Sequence, residues 1–251
     1  MKKLLLLLAL AVVLLPAAAF ADSLPLAEDL AETVTVFYNG ADDSSGRYEY
    51  AYRYPHADPD DPTAFRVNSY YEYLVQDTKD NTIPNLADYY SGMGESVTVR
   101  ISYEITCNNN DLFSVRIHFT EENDEEFIES WSGNTFSRTD GMPGSLYSLP
   151  NLLGILSSGE SDEWLEERQA GKACDAVLMM VWDRIRENSE GIEYYPDLDR
   201  KTLEAYFDPE LDFWLDESGN PVFFLLPGRI APEEAGLLTF PVSLEDIKDE
   251  L

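Results

Sequence analysis

The 251 residues contain 48 acidic and 17 basic side chains, which gives a net charge of −31. This balance disfavours nucleic acid and anionic membrane surfaces as partners, because both need lysine and arginine to neutralise phosphate. An apolar fraction of 44% with 12% aromatic residues excludes a disordered acidic tail and predicts a globular chain. A cationic partner or a solvated acidic surface would account for the charge.

The first 21 residues have the pattern of a secretory signal peptide. Lys2 and Lys3 precede the apolar run Leu4–Leu15, and small residues follow up to Ala21. We expect cleavage between Ala21 and Asp22, which removes both lysines and takes the net charge from −31 to about −33. The apolar run is shorter than the about 20 residues of a membrane span, and no second long run follows. We therefore expect a secreted or periplasmic protein with no membrane span after processing.

The mature chain begins with two predicted strands. Alternation of apolar and polar residues predicts strands at Glu32–Phe37 and Arg47–Tyr54, and the second has tyrosine at every other position. Turn-forming residues fill positions 39–46 between them. The two strands are expected to pair in an antiparallel manner, with an aromatic stripe on one face.

A helix is predicted after the tyrosine strand. Asp61 is placed as its cap and Pro62 in its first turn, since proline is tolerated where no helical N–H bond is lost. The helical period is carried by apolar residues from Val67 to Val75, and we expect the helix to stop near Asp80 and Asn81.

A second β region follows the helix. Every odd position of Val97–Cys107 is apolar or aromatic and the even positions are polar, which predicts a strand. Leu112–Thr120 repeats the pattern, with Phe113 and alternate residues inward and Ser114, Arg116 and His118 outward. Glu126–Thr135 is predicted as a third, more irregular strand.

Helical periodicity replaces alternation after Leu149. Residues 161–163 open a helix, and Gly171 leaves open whether it is one long helix or two in succession. Asp199–Ala205 is predicted as a short helical turn. The long helix carries one complete apolar stripe: Cys174, Val177, Leu178, Val181, Trp182 and Ile185.

The last quarter of the chain is predicted to form a small sheet. The turn formers Asp216–Asn220 separate an alternating strand from the apolar run Val222–Leu226, which is typical of a β-hairpin. Pro227–Gly228 ends that strand, and Leu237–Phe240 supplies a third. Ser243 is placed as the cap of a closing helix.

This closing pattern resembles that of the extracytoplasmic module shared by the anti-sigma factor RsiV and the non-catalytic part of the peptidoglycan deacetylase PdaC. The matching features are a D-x-x-G-N turn at Asp216–Asn220, Pro227–Gly228, Ala231–Pro232 and Gly236, each in order between strands. The bend Asp140–Ser148 resembles the point at which the family's sheet joins its C-terminal domain. Domains of this kind have no assigned function, but the resemblance implies recognition, since the module of RsiV binds lysozyme outside the cell.

The order of elements predicts an α+β fold with mainly antiparallel sheets and a few packed helices. We expect a two-part module: a signal peptide at 1–21, an N-terminal β-rich segment similar to PdaC and RsiV at 22–148, and a C-terminal α+β domain similar to RsiV at 149–251.

The two cysteines both lie at positions predicted to point inward. Cys107 is on the core parity of its strand and Cys174 is on the apolar stripe of its helix. An exported protein could join them in a disulfide, but two buried thiols would also pack as small apolar residues. The sequence leaves both alternatives open.

No reactive motif accompanies these elements. The two histidines, His56 and His118, do not form a zinc-binding pair, and neither a nucleophile elbow nor a phosphate-binding loop is present. Acidic clusters such as Glu121–Glu126 do not follow the spacing of a calcium loop. Nothing matches the metal motif of the catalytic half of PdaC. We therefore expect no catalytic, metal or cofactor-binding residues and no cofactor.

These observations favour a secreted, strongly acidic binding module of the bacterial envelope, with a cationic protein such as lysozyme or a cell-wall ligand as partner. One alternative is a hydrolase that cuts cell-wall polymer with paired carboxylates. Another is a protein of the endoplasmic reticulum, since the chain ends in Lys248-Asp249-Glu250-Leu251. We interpret those four residues as the end of the closing helix.

Overall fold

A computed structural model describes residues 23–38, 46–140, 142–155 and 163–251. In these ranges the chain forms a five-stranded and a three-stranded sheet with packed helices, so the α+β class is confirmed. The cleavage site at Ala21 and Asp22, the turn at 39–45 and the start of the long helix at 161–162 lie outside the described residues. No helix in the described ranges is both long and apolar enough to cross a membrane.

The five strands of the first sheet follow the order of the chain. They are β1 (Leu30–Phe37), β2 (Arg47–Tyr54), β3 (Val97–Asn108), β4 (Leu112–Glu122) and β5 (Phe127–Ser137). Each predicted strand is confirmed, but β2 and β3 pair in parallel while the other neighbours are antiparallel. The sheet is therefore mixed. Its parallel pair needs a long crossover connection between β2 and β3.

Two helices joined by a π-helical turn make that crossover. They are α1 (Ala64–Asp77) and α2 (Ile83–Met93), with the π-helical turn at Thr78–Thr82. The prediction that the helix stops near Asp80 was wrong, because the chain continues through the π turn. Pro84 is compatible with the first turn of α2, and Gly94 in a left-handed conformation ends it.

The predicted cap of α1 was misplaced by two residues. Thr63 is the N-cap residue, and its side chain makes no capping bond. The carboxylate of Asp61 instead accepts hydrogen bonds from the backbone N–H of Thr63 at 2.7 Å and from its hydroxyl at 2.6 Å. Asp61 therefore closes the turn that leads into the helix.

The crossover helices cover one face of the first sheet and bury its tyrosine stripe. The core there combines aromatic residues of β2 and α1 with the inward residues of β3 and β4. Its largest buried side chains are Tyr38, Tyr48, Tyr50, Tyr52, Tyr54, Tyr71, Phe113 and Phe136. We call this set, with the smaller residues around it, the first core.

The rest of the chain forms the second sheet and its helices. The helices are α3 (Leu149–Leu152), α4 (Glu163–Glu187), α5 (Arg200–Tyr206) and α6 (Leu244–Asp249), and the strands are β6 (Phe213–Leu215), β7 (Pro221–Leu225) and β8 (Leu238–Pro241). The three strands form one antiparallel sheet, as predicted. Helix α4 runs through Gly171 without a break. Asp199 caps α5, and Ser243 caps α6 as predicted.

The second sheet packs on the other face of the first sheet at one end. A methyl group at Gly133 on β5 would lie 1.7 Å from the backbone oxygen of Phe213 on β6, so the two strands touch through their backbones. Ser114, predicted to face outward, is instead buried: its hydroxyl accepts from the N–H of Leu215 at 3.0 Å. Alternation in the sequence shows which residues of a strand share a face, but it does not show whether another element covers the second face.

A β-bulge in β3 turns its last residues toward this second sheet. Ile105 lies opposite Val115 and Cys107 lies opposite Ser114, so Thr106 has no partner on β4. Cys107 is therefore buried, as predicted, but among α4, β6 and β7 instead of with the other odd residues of its strand. Its neighbours belong to the second core, which includes Leu149, Val177, Val181, Leu203, Leu215, Phe223, Leu225 and Ile230.

Candidate binding cleft

Strand β5 forms one edge of the first sheet, and part of that edge is open. The backbone N–H of Asn123 donates to the carbonyl of Glu126, and the N–H of Tyr147 donates to the carbonyl of Thr135. Because strand backbones alternate in direction, even residues of β5 bond to β4 and odd residues point away from the sheet. Within the described ranges, the backbone groups of Phe127, Glu129 and Trp131 have no hydrogen-bond partner.

A cleft of about 580 Å³ lies beside this open edge. One wall is the start of β5, from Glu126 to Ser130, and the other is the segment that follows β7. The segment contributes Leu226, Pro227, Gly228, Arg229, Glu233 and Gly236. Residues of both faces of β5 line the cleft, as expected if it lies off the edge of the strand. Its volume is in the range of small-ligand sites.

Two large apolar side chains stand exposed at the β5 wall. Phe127 is 60% exposed and Ile128 is 42% exposed. Successive residues of a strand point to opposite faces, so the pair presents apolar surface on both sides of the edge. Exposed apolar surface beside a concave site is typical of a place where a partner binds.

The rim of the cleft is acidic. Glu126, Glu129 and Glu233 line it together with one base, Arg229. The β4–β5 turn continues the negative charge with Glu122, Asp124 and Glu125. Such a concentration of carboxylates attracts cations and disfavours anions at close range.

Local hydrogen bonds order the acidic turn. The side-chain oxygen of Asn123 accepts from the backbone N–H of Glu125 at 2.9 Å and from that of Glu126 at 2.7 Å. Asparagine commonly closes turns in this way. The carboxylates are therefore held on a tight turn at the mouth of the cleft.

The opposite wall depends on the break after β7 that the sequence predicted. Gly228 has φ 73°, a left-handed conformation that favours glycine. The side chain of Glu233 packs against Gly228, with its Cγ 3.1 Å from the position that a Cβ would take. The guanidinium of Arg229 lies 5.5 Å from the ring centre of Tyr206, which draws this cation toward α5.

His118 lies next to the cleft and orients one of its carboxylates. Its Nε2 lies 2.6 Å from Oε1 of Glu129, and its ring stacks on Trp131 at 4.9 Å between centres. The side chain is on the face opposite the first core, as the sequence predicted. His56, in contrast, lies 3.3 Å from Glu72 on α1 and belongs to another part of the surface.

Cys107 and Cys174 are both free thiols in this structure. Burial raises the pKa of each to about 11, and the carboxylates that add to the effect differ: Asp216 for Cys107, and Glu210 with Asp208 for Cys174. Each thiol thus has its own surroundings, and the disulfide between them stays a prediction.

Other cavities offer less to a partner. A volume of about 460 Å³ lies along β8, the edge of the second sheet. That edge is only four residues long, and the guanidinium of Arg184 donates to the carbonyl of Pro241 on it. In the described part of the chain, no group of three or more histidine, cysteine, aspartate or glutamate side chains could hold a metal ion.

The architecture defines a class of protein: an α+β chain in which a mixed sheet carries helices on one face and a second, antiparallel sheet on the other. The chain matches no protein-family model and no curated protein. Solved structures do match it.

A member of the DUF3298 family from Bacteroides fragilis is similar with a TM-score of 0.59 and 12% identity, over 90% of this chain and 94% of its own. A DUF3298 family protein from Pseudomonas aeruginosa gives a TM-score of 0.50 and 12% identity, over 91% and 94%. At this identity the likeness shows the fold, which is therefore one found in bacterial proteins whose family has no assigned function.

Proposed function

We propose that this protein is a non-catalytic binding module of the bacterial envelope that takes a cationic protein in the cleft beside β5. The observation that carries the proposal is the combination of exposed Phe127 and Ile128 with an acidic rim in one concave site. Apolar anchors supply most of the affinity of an interface, and a charged rim speeds the encounter and selects the partner.

The localisation and the partner belong to the same proposal. The signal peptide pattern at residues 1–21 supports export to the periplasm or the medium. The resemblance to the module of RsiV supports a muramidase of the lysozyme kind as partner, and lysozyme is a cationic protein. The bacterial origin of the DUF3298 neighbours agrees with an envelope setting.

Titration calorimetry of the chain from Asp22 onward with hen lysozyme tests the proposal. We expect micromolar or tighter binding that persists at physiological salt, because the apolar contact is not screened. Phe127→Ala should weaken binding by about tenfold or more. Tyr73→Ala on α1 is the matched control, since Tyr73 is 72% exposed and lies outside the cleft.

The charge of the rim is tested separately. Glu126→Gln should slow association at low salt, whereas Glu217→Gln, in the β6–β7 turn, should have less effect although it removes the same charge. Binding confined to low salt, and equally weakened by both substitutions, would indicate general charge attraction and would contradict the proposal.

A further inference from the structure

We propose that the partner enters the cleft as an extended basic segment that pairs with β5 and becomes a sixth strand of the first sheet. This inference rests on the proposed function and specifies how the partner is held. Strand addition to an open sheet edge is a recurrent way of binding peptides, in which backbone bonds give affinity and side chains give selectivity.

The backbone of β5 has the regular, unpaired outward groups that such pairing needs. The outward N–H and carbonyl groups of Phe127, Glu129 and Trp131 form one regular row, since β5 keeps an unbroken register with β4 over its whole length. The row contains no proline, no lysine and no bulge, the devices that usually block an open edge. Groups of this kind bind water until another strand replaces it.

The length of the added strand is limited by Tyr147, whose backbone N–H already donates to the outward carbonyl of Thr135. Just before that point, the backbone of Phe213 covers one face of β5 at Gly133. The open row therefore spans Phe127 to Trp131, and the acidic turn lies just before it. A segment of about five residues would fill it at the rise of about 3.4 Å per residue of a strand.

The side chains of the edge select a basic occupant and disfavour a second copy of this chain. In an antiparallel pair of two β5 edges centred on the open row, Glu129 of one copy would lie opposite Glu129 of the other, and like charges across strands are destabilising. Lysine or arginine in the incoming segment would instead meet Glu126, Glu129 and Glu233, and apolar residues would meet Phe127 and Ile128.

The opposite edge of the sheet provides an internal comparison. The N–H of Tyr38 donates to the carbonyl of Gly46, so even residues of β1 bond to β2 and odd residues such as Thr33 point outward. Glu32 is the one charged residue of β1, and its carboxylate already forms an ion pair with Lys79 at 2.6 Å. A basic segment that selects carboxylates should therefore prefer β5.

The test uses two synthetic peptides of ten residues that alternate lysine and valine. One is unmodified, and the other is N-methylated on every residue, so it keeps its charge but loses donors along both edges. We expect the unmodified peptide to bind about tenfold or more tightly, as loss of one or two hydrogen bonds predicts. Equal affinity of the two peptides would overturn strand addition.

Variants of the protein test the same strand pairing by removing a backbone donor from β5 instead of from the peptide. Glu129→Pro removes the outward N–H and Glu129→Ala keeps it, while both lose the carboxylate and its contact with His118. We expect Glu129→Pro to bind the unmodified peptide about tenfold more weakly than Glu129→Ala. Thr33→Pro on β1 should leave binding unchanged. A loss caused by Thr33→Pro alone would place the peptide on β1 and overturn the assignment.

The readout that reports the strand itself is amide hydrogen exchange by nuclear magnetic resonance. The amides of Phe127, Glu129 and Trp131 should become protected when the peptide binds, which needs no variant that might alter folding. Hen lysozyme separates the two proposals. If Phe127→Ala weakens lysozyme binding while Glu129→Pro does not differ from Glu129→Ala, the function stands and strand addition is wrong; if the peptide pairs but lysozyme does not bind, the partner is wrong.

Discussion

The two cores of this protein are built from different chemistry. The first core buries six tyrosines: Tyr38 after β1, the four of β2 and Tyr71 on α1. The buried residues described for the second core contain no tyrosine and consist largely of Phe, Leu, Ile and Val. A buried hydroxyl needs a hydrogen-bond partner and an aliphatic group does not. The stability of the first core therefore depends on individual hydrogen bonds as well as on packing, whereas that of the second core depends on how well its apolar side chains fill the space.

Two buried tyrosines show how uneven those contacts are. The hydroxyl of Tyr71 accepts a hydrogen bond from the side-chain amide of Asn134 at 3.2 Å, and Asn134 is itself buried. The hydroxyl of Tyr48 is buried without a hydrogen-bond partner in the described residues. Burial raises the pKa of both phenols, so neither ionises near neutral pH.

The contact that joins the two regions should be the most sensitive to substitution. In Gly133→Ala the new methyl group would overlap the backbone of Phe213, which cannot move aside as a flexible side chain would. We expect a loss of about 3–5 kcal/mol in the free energy of unfolding. Denaturation monitored by tryptophan fluorescence and by circular dichroism would measure it, and the two probes should diverge if the regions unfold separately.

Gly171→Ala is the matched control, because a methyl group there meets nothing within 4 Å and Gly171 lies inside α4. It should stabilise the protein by about 0.5–1 kcal/mol through helix propensity. Equal stability of both variants would mean that β5 and β6 do not touch.

Thiol reactivity tests whether Cys107, which is buried, and Cys174, which is half-buried, are free or joined in a disulfide. With each pKa at about 11, roughly one thiol in a thousand is ionised at pH 8, so native Cys107 and Cys174 should react slowly with a thiol reagent. The reaction rate should rise with pH toward 11. Two rapidly reacting thiols should be released in guanidinium chloride without reductant, and release of none would establish the disulfide instead.

The tyrosine pair tests the first core. Tyr71→Phe should lower the free energy of unfolding by about 1–3 kcal/mol, because it removes a hydroxyl that accepts a hydrogen bond from the amide of buried Asn134. Tyr48→Phe should be neutral or slightly stabilising, since it removes a hydroxyl that lacks a hydrogen-bond partner. Urea denaturation measures both, and an equal loss for the two variants would show that packing alone matters.

The smallest expected effect concerns Asp212, which lies where the two regions meet. Burial and the nearby Asp208 raise the pKa of its carboxyl, so the folded state binds the proton more tightly than the unfolded state does. The stability gained from that proton is fully present below the unfolded pKa of about 3.9 and is lost as the pH rises through the folded pKa.

Asp212→Asn should therefore stabilise the protein at pH 7, by less than about 1 kcal/mol, and should make no difference near pH 3. The amide oxygen can still accept the bond from the N–H of Asp208. Urea denaturation at both pH values would measure the effect. A gain of the same size at both values would point to a cause other than ionisation.

Alternation of residues was sufficient to predict the strands, because one buried face imposes a period of two. It did not predict α2, since Pro84 and Gly92 resemble helix breakers when the π-helical turn before them is unknown. It also did not predict the parallel pairing of β2 with β3, which depends on where the crossover helices pack.

The cleft could not be predicted from the sequence, for a different reason. Its two walls, at Phe127 and Pro227, lie about 100 residues apart, and no spacing rule connects them. The local signal was an apolar pair directly after the acidic run Glu121–Glu126, in a stretch predicted from its residue pattern to be an irregular strand. Strand β5 is regular, so Phe127 and Ile128 are exposed because they lie at the edge of the sheet and not because the strand is irregular.

The parallel pairing of β2 with β3 has a consequence for the time at which each part of the molecule forms. A chain made from its N-terminus releases the β1–β2 hairpin first, but the partner of that hairpin lies about 40 residues later, beyond both crossover helices. A hairpin alone is marginally stable in water. Strands β3 to β5 pair through contacts close in sequence, whereas the hairpin joins the sheet only through the long-range pairing of β2 with β3, which is the slower kind of contact to form.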